Sequence, residues 1–223
     1  MASHPRWLVV SALAAIAVYA VLWIGFAQQW AWLTNVDSAA LDAFYRIGQD
    51  NPGWVRGWDI FCTVLGPGAF RLVTIPLIVV AFVRRQIRIA IFLIISVEFA
   101  GLVTEIAKAI ADRPRPDTAF VHALGTAFPS GHALGVLVAV LAWLAVGLPL
   151  VRAAARAWLI ALGVVVIVMI GLGRVVLNVH HPSDVLAGWC LGYAFFVFCL
   201  LVVPPRRSIR ARDETPEAPG ISR

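Results

Sequence analysis

The fold is decided by long apolar runs, the first of which is Trp7–Phe26, with the sequence WLVVSALAAIAVYAVLWIGF. It contains no charged residue, and a helix of about twenty residues spans the roughly 30 Å hydrocarbon core of a bilayer. Five further runs have a similar length and composition. The sequence predicts six transmembrane helices, at Trp7–Phe26, Gly66–Val83, Ile87–Ala109, Ala133–Val151, Trp158–Val176 and Val185–Val203.

The composition of the chain agrees with lipid as its solvent. Of its 223 residues, 61% are hydrophobic and 13% are charged, whereas soluble proteins carry about 25% charged residues. The net charge of +6 could indicate a nucleic-acid partner, but the basic residues form short clusters between apolar runs, which excludes that class. We expect an all-α bundle of six transmembrane helices over residues 1–203, followed by a flexible basic cytoplasmic tail over residues 204–223.

A cleaved signal peptide is the alternative interpretation of the first apolar run. That run is longer than the apolar core of an ordinary signal peptide, and no small-x-small cleavage site precedes Gln28 and Gln29. The sequence therefore favours an uncleaved first helix.

The distribution of basic residues predicts the orientation in the membrane. With a cytoplasmic N-terminus, every cytoplasmic segment near a membrane boundary is basic, as the positive-inside rule requires. The residues concerned are Arg6, Arg84, Arg85, Arg88, Arg152, Arg156, Arg206, Arg207, Arg210 and Arg212. We therefore expect both termini to be cytoplasmic, in a multi-pass protein of the plasma or inner membrane.

The connection between the first two predicted helices is long, from about residue 27 to residue 65. Apolar residues recur in it at helical spacing, at Val36, Ala40, Phe44 and Ile47, and Asp37 lies off that face. Tryptophans flank this stretch on both sides, as in the aromatic belt of a membrane interface. We expect a short amphipathic interfacial helix, which serves either as a packed cap over the bundle or as a gate through which a lipid reaches a site.

The first candidate functional stretch follows the third predicted helix. Lys108 ends that helix, and Arg115 stands between Pro114 and Pro116. Two prolines favour an extended, stiff chain, which suits a guanidinium that must be fixed against an oxyanion. Arg113 lies on the same loop and is a second-tier candidate for phosphate contact.

The second stretch is Pro129-Ser130-Gly131-His132, immediately before the fourth predicted helix. It could be a simple helix cap. A helix start containing glycine also presents free backbone N–H groups to an anion, and Ser130 adds a hydroxyl donor. His132 adds a group that can donate a proton at neutral pH.

The third stretch holds Arg174, His180 and Asp184. His180 and Asp184 are four residues apart, so in a helical turn the carboxylate would accept the imidazole N–H and leave the other ring nitrogen free as a nucleophile. His181 has a less favourable spacing to Asp184, and we expect it to serve in packing or in a supporting shell.

Taken together, Lys-x6-Arg-Pro, Pro-Ser-Gly-His and Arg-x5-His-x3-Asp over Lys108–Asp184 resemble the three motifs of the type 2 phosphatidic acid phosphatase family. The three motifs match in order, and all are expected at the non-cytoplasmic ends of helices. One departure is visible, because the third motif of the family usually opens with serine before the arginine and Gly173 stands there. Only the backbone N–H of Gly173 could replace that hydroxyl.

The resemblance implies a role for each residue. His180 would attack phosphorus and form a phosphohistidine, Asp184 would orient it, and His132 would protonate the leaving oxygen. The phosphate would be bound by Lys108, Arg115, Ser130, Gly131 and Arg174. This cationic cluster would replace a metal ion, so we expect no metal and no other cofactor.

Two acidic residues on the third predicted helix need a separate interpretation. Glu98 lies about halfway along it, where an ionisable group is costly and often functional. It could make a structural polar contact, which we favour, or relay protons, or stay protonated. Glu105 lies three residues before Lys108 and could pair with it along the helix.

The leading hypothesis is a metal-independent lipid phosphatase that acts on the non-cytoplasmic face. A polyprenyl diphosphate is the favoured substrate, with phosphatidylglycerol phosphate or phosphatidate next. The alternatives are a lipid phosphotransferase, or a transporter that binds an anionic lipid without turnover, for which Glu98 is the main support. The expected partners are a lipid phosphate and the bilayer, and the sequence predicts no oligomeric state.

Overall fold

A computed structural model describes residues 6–205 of the chain, and every element in that range is a helix. The α-helices are α1 (Arg6–Ala27), α2 (Ala31–Gly48), α3 (Pro52–Val64), α4 (Pro67–Val83), α5 (Ile87–Leu93), α6 (Ala100–Ala111), α7 (Gly131–Gly147), α8 (Ala153–Val176) and α9 (Pro182–Val202). A π-helical turn, Ile94–Glu98, joins α5 to α6, and a short 3-10 turn, Leu148–Leu150, follows α7.

Six helical segments are long and apolar enough to cross a membrane. Their bounds are Arg6–Ala27, Pro52–Val83, Ile87–Ala111, Gly131–Leu150, Ala153–Val176 and Pro182–Val202. The prediction of an all-α bundle with six spanning helices is confirmed. The predicted tail lies, from residue 206 onward, outside the described residues.

The connection after α1 is more extensive than the single short helix predicted from sequence. It contains α2, which has 18 residues, and α3, which has 13. The face of α2 that packs on the protein was not predicted from sequence: Leu33, Asp37 and Leu41 are buried, while Val36 and Ile47 of the predicted apolar stripe are exposed. Lipid-facing surfaces are as apolar as protein interiors, so hydrophobic periodicity alone cannot tell which face of such a helix packs.

The buried face of α2 packs against α8 and α9. Asn178, in the turn between those two helices, donates from Nδ2 to the carbonyl oxygen of Leu41 at 3.1 Å and to Thr118 Oγ1 at 3.0 Å. Of the two interpretations offered for this segment, the described contacts are those of a packed cap.

Helix α7 is the central helix of the bundle and contacts α4, α6, α8 and α9. Its side chains Val136, Val138 and Ala139 are fully buried. The start of α9 approaches it closely, because a Cβ atom on Gly188 would lie 2.6 Å from the carbonyl oxygen of Ser130. This approach places the first turns of α7 and α9 side by side.

The two ends of the bundle carry different chemistry. Arg84, in the turn after α4, lines one cavity together with Leu150, which follows α7. The segments Arg84–Gln86 and Leu148–Arg152 therefore lie at one end. The three sequence motifs lie at the opposite ends of the same helices.

Candidate active site

The predicted site residues converge at the end of the bundle that α2 covers. Lys108 lies near the end of α6, Arg174 near the end of α8, and Ser130, Gly131 and His132 at the start of α7. Lys108, Gly131 and His132 line one cleft. Asp184 is joined to the second motif, because the backbone N–H of Ser130 donates to its carbonyl oxygen at 2.9 Å.

His180 lies between α8 and α9 rather than within a helix, since α9 begins at Pro182. The predicted helical stacking of His180 on Asp184 is therefore wrong. The two side chains still face each other, with His180 Nδ1 at 3.6 Å from Asp184 Oδ2. This separation exceeds a hydrogen bond by a few tenths of an ångström, and a small ring rotation would close it.

The other ring nitrogen of His180 faces the cationic side of the site. Its Nε2 lies 3.3 Å from Arg115 Nη1. A guanidinium only donates, so Nε2 accepts and carries the lone pair, while the proton sits on Nδ1 towards Asp184. That tautomer suits attack by Nε2 on an electrophile.

His180 is almost completely buried, with 1% of its surface exposed. Burial lowers its pKa to about 4; Asp184 acts in the opposite direction, and the charges of Arg174 and Arg115 add to the lowering. The ring is therefore neutral at physiological pH. A neutral imidazole with an outward lone pair is chemically able to act as a nucleophile.

Asp184 is held by donors on both carboxylate oxygens. Its Oδ1 accepts from Arg113 Nη1 at 2.6 Å, and its Oδ2 accepts from the backbone N–H of His181 at 2.8 Å. His181 Nδ1 also lies 3.1 Å from Oδ2, closer than His180. Sequence spacing missed this contact because His181 caps α9 and Asp184 is the third residue of that helix, the pairing of a capping box.

Arg113 does not lie where a second-tier phosphate ligand was expected. Its Nη1 donates to Ser183 Oγ at 2.7 Å as well as to Asp184, and its Nη2 donates to Asp37 Oδ2 at 2.9 Å. Its guanidinium also lies 4.7 Å from the ring centre of Phe26. Arg113 thus positions Asp184.

Asp37 is the residue that sequence reasoning missed. It is 2% exposed, and its carboxylate accepts from Arg113 and from both the backbone N–H and the hydroxyl of Ser183. It therefore ties α2 to the start of α9. The spacing of Asp37 could have indicated its burial, since it lies four residues after Leu33 and four before Leu41 and so shares their face of α2.

Arg115 is fixed by backbone carbonyl groups. Its Nε donates to Gly125 O at 2.9 Å, its Nη2 to Leu124 O at 2.8 Å and its Nη1 to Val179 O at 2.8 Å. Burial, and after it the charge of Arg174, lower the pKa of Arg115. The stiff loop predicted from the two prolines thus holds the guanidinium beside Nε2 of His180.

Lys108 is 9% exposed and pairs with Glu105 Oε1 at 3.9 Å. This confirms the pairing predicted from their spacing. Lys108, Arg115 and Arg174 gather three positive charges around His132 at the start of α7, and such a cluster at a helix N-terminus attracts an anion.

Ser130 is the N-cap of α7, and its Oγ accepts from the backbone N–H of Ala133 at 3.5 Å. The helix cap that was one interpretation of this stretch is therefore present. His132 lies one residue inside α7, where the absence of a side chain at Gly66 leaves room for its ring: a Cβ there would lie 3.3 Å from Nε2.

The third motif of the family usually has serine where this chain has Gly173, and the structure gives a steric reason for the glycine. A Cβ atom there would lie 2.5 Å from Cys62 Sγ and 2.9 Å from the ring of Trp58, so a serine would collide with both. Gly173 also lies inside α8, where its N–H is engaged along the helix. Its backbone is thus not available as the replacement phosphate donor that the sequence suggested.

Comparisons with known proteins show the family to which this chain belongs. Residues 89–208 match the PAP2 superfamily. The chain is 32% identical over 151 residues to phosphatidylglycerophosphatase B of Bacillus subtilis, covering 64% of this chain and 72% of that protein. It is 28% identical over 160 residues to undecaprenyl-diphosphatase of Sulfolobus acidocaldarius, covering 68% of this chain and 72% of that protein. It is 32% identical over 127 residues to lipid A 1-phosphatase of Rhizobium etli, covering 51% of this chain and 50% of that protein.

A solved structure shares the fold. The crystal structure of a transmembrane PAP2-type phosphatidylglycerolphosphate phosphatase from Bacillus subtilis matches with a TM-score of 0.71. The match covers 86% of this chain and 95% of that one at 24% sequence identity. It supports the arrangement of the helices described above.

Proposed function

Because the chain belongs to the PAP2 superfamily and is a multi-pass membrane lipid phosphatase, we propose that it removes the terminal phosphate of a polyprenyl diphosphate on the non-cytoplasmic face. Phosphatidylglycerol phosphate and phosphatidate rank next as substrates. The observation that carries the proposal is the buried His180, whose Nε2 lies 3.3 Å from Arg115 and whose Nδ1 faces Asp184.

In the first step, Nε2 of His180 attacks the terminal phosphorus. A P–N bond forms while the bond from phosphorus to the leaving oxygen breaks, and His132 gives that oxygen a proton. In the second step, His132 takes a proton from water as the water oxygen attacks the phosphorus of the phosphohistidine; a P–O bond forms, the P–N bond breaks, and its electron pair returns to Nε2 of His180. Inorganic phosphate leaves and both histidines return to their starting states.

The charges of the site serve the transition state. Phosphoryl transfer spreads negative charge over three equatorial oxygens, and preorganised donors lower the barrier. Lys108, Arg115 and Arg174 supply positive charge, and Ser130 with the Gly131 N–H supplies neutral donors at the start of α7. We assign to this cluster the role that a metal ion has in other phosphatases.

The proposed orientation is supported by the basic turns at the end of the bundle opposite the motifs, because Lys108, Arg115 and Arg174 at the motif end are assigned to the site. Arg84, Arg85 and Arg152 lie at the end away from the motifs. Under the positive-inside rule, that end is cytoplasmic and the phosphate site faces the other side.

The experiment that tests this function is a phosphate-release assay on purified protein with a chelator present. Polyprenyl diphosphate, phosphatidylglycerol phosphate and phosphatidate are compared, and the His180→Ala protein is the blank. We expect release under chelation, with the highest kcat/KM for the polyprenyl diphosphate. Release only after Mg²⁺ is restored would overturn the metal-free mechanism, and a better rate on phosphatidate would overturn the substrate order.

The alternatives differ in what happens to the phosphate. The transporter without turnover rested on Glu98, and that carboxylate pairs with Arg71, whose Nε lies 3.3 Å from Oε2. A phosphotransferase would use the same phosphohistidine but pass phosphate to a lipid or sugar hydroxyl. Product analysis in the same assay separates it, because phosphate would then appear on an added acceptor rather than in solution.

A further inference from the structure

The cleft that contains Lys108 and His132 extends beyond the reacting groups. It has a volume of about 230 Å³ and runs between α4 and the span formed by α5, the π turn and α6. Arg71, Val97 and Gly101 also line this cleft, whereas Thr104 lies beside Gly131 at the reacting end. The mechanism above gives Arg71 no role.

Arg71 lies one helical turn beyond the residues that surround His132. Gly66 approaches His132 Nε2, and Pro67 packs on α7, where a Cβ on Gly135 would lie 2.8 Å from Pro67 Cβ. Arg71 follows Pro67 by four residues, which puts both on one face of α4. The arginine therefore continues the wall that begins at the proposed general acid.

The opposite wall accommodates the arginine. A Cβ on Gly101 would lie 3.2 Å from Arg71 Nη1, and Glu98 Oε2 lies 3.3 Å from Arg71 Nε. Gly101, Glu105 and Lys108 follow one another along α6 at spacings of four and three residues, so they share one face of that helix, and Glu98 ends the π turn that precedes it. Gly101 and Lys108 are seven residues apart, about 10 Å along the axis.

Placing the charged Arg71–Glu98 pair within a membrane span costs free energy, and the hydrogen-bonding groups of the pair are not all satisfied. Ionisable groups inside a span are usually retained for function. The arginine side chain is 47% exposed, so a ligand in the cleft can reach it. Glu98 Oε1 is buried without a hydrogen-bond partner, which leaves the pair short of the contacts that a purely structural ion pair would have.

We propose that Arg71 binds a second phosphate of the substrate, on the lipid side of the scissile bond, and so selects lipids that carry one. This inference rests on the proposed function. When the terminal phosphate lies against His180, the leaving oxygen lies by His132 and the rest of the lipid headgroup continues along the cleft. A phosphate joined directly to the first, or through a glycerol, then lies between Lys108 and Arg71.

Glu98 fixes Arg71 against this cleft and leaves the outer face of the guanidinium towards the ligand. Polyprenyl diphosphate and phosphatidylglycerol phosphate both have a phosphate on the lipid side of the scissile bond, whereas phosphatidate has none. The proposed selectivity thus separates the first two substrates from the third.

The test compares two substrates on one variant. For Arg71→Gln we expect kcat/KM on a polyprenyl diphosphate to fall by about 10-fold or more, mainly through KM, because a charge-assisted contact is lost. The rate on phosphatidate should change by less than about 2-fold. Arg71→Lys should recover part of the diphosphate rate, since it keeps the charge. Arg46→Gln, an exposed arginine at the end of α2, is the matched control and should leave both rates unchanged.

The outcomes separate this inference from the proposed function. Phosphatidate turnover by Arg71→Gln shows in the same tube that the variant is folded. Equal losses on both substrates, or equal recovery of both by Arg71→Lys, would mean a structural role and would overturn the selectivity. A wild-type protein that hydrolyses neither substrate would instead overturn the proposed function.

Discussion

His180 combines near-complete burial with two neighbouring cations, Arg115 and Arg174, and one carboxylate, Asp184. Burial makes protonation of the ring unfavourable and is the largest influence on its pKa. Asp184 opposes this effect, Arg174 and Arg115 add to it more weakly, and the net result is a lowered pKa and a neutral ring. Neutrality is what a phosphoryl nucleophile needs. Burial thus keeps the nucleophile in its reactive form, and the cations assigned to phosphate binding act in the same direction.

This arrangement predicts the acid side of the pH profile. Since the pKa of His180 is lowered to about 4, the neutral ring persists as the pH falls through 6.5 and is lost only near pH 4. We expect kcat/KM, corrected for the substrate's own ionisation near pH 6, to fall on the acid side with an apparent pKa well below that of ordinary histidine. A corrected acid limb at pH 6.5 would contradict the described environment of His180.

The residues of the site were largely predictable, but two of their contacts were not. Lys108, Arg115 and Arg174 stand out because they lie on the side of the membrane where the positive-inside rule expects fewer basic residues, and because their spacing matches a known pattern. Asp37 was not predictable as a partner, because its Arg113 contact joins positions 76 residues apart. The closeness of His181 to Asp184 depends on where α9 begins, and helix boundaries are uncertain from sequence by a few residues.

At the scale of elements, α2 is attached to the site by one buried network. Asp37 on α2 accepts from Arg113 and Ser183, and Arg113 in turn donates to Asp184. These hydrogen bonds therefore join α2 to the start of α9. The sequence predicted a helix here but not its packing face, because an apolar stripe faces lipid as readily as protein.

The network predicts the effect of Asp37→Asn. Removing one charge leaves Arg113 buried and partly unpaired, which costs about 3–5 kcal/mol for a buried ion pair. We expect a lower thermal midpoint in detergent, and a fall in kcat with little change in KM, because Arg113, which positions Asp184, loses its contact with the Asp37 carboxylate. Both quantities can be measured on one preparation.

Asp42→Asn is the matched control for that experiment. Asp42 lies on the same helix and is exposed, so its neutralisation should change the thermal midpoint and kcat little. Equal effects of the two substitutions would show that Asp37 has no special role in holding α2 to α9.

At the scale of the whole molecule, six spans place the three motifs at one end and the basic turns at the other. The number of spans followed from run length alone. Two features could not be predicted from run length: the π turn at Ile94–Glu98 and the division of the connection into α2 and α3. Both arise from packing between helices rather than from local composition. The close approach of Gly188 to Ser130 is a further example of such packing.

The orientation can be tested by labelling intact cells with a membrane-impermeant thiol reagent. In a background without the native cysteines, Asp117→Cys places a thiol on the exposed loop at the motif end, and Arg85→Cys places one at the opposite end. The positive-inside rule predicts labelling of the Asp117→Cys protein only. Labelling of the Arg85→Cys protein alone would reverse the assigned orientation.

The central claim is that this bundle transfers the substrate's phosphate to His180. The most direct measurement is a single turnover of polyprenyl diphosphate labelled in its terminal phosphate, quenched at short times with a chelator present, on wild-type and His180→Ala proteins. We predict acid-labile, alkali-stable label on the wild-type protein, none on His180→Ala, and a loss of turnover of about 10³-fold or more in that variant. A folded His180→Ala protein that still becomes labelled, or that releases phosphate at close to the wild-type rate, would contradict the account.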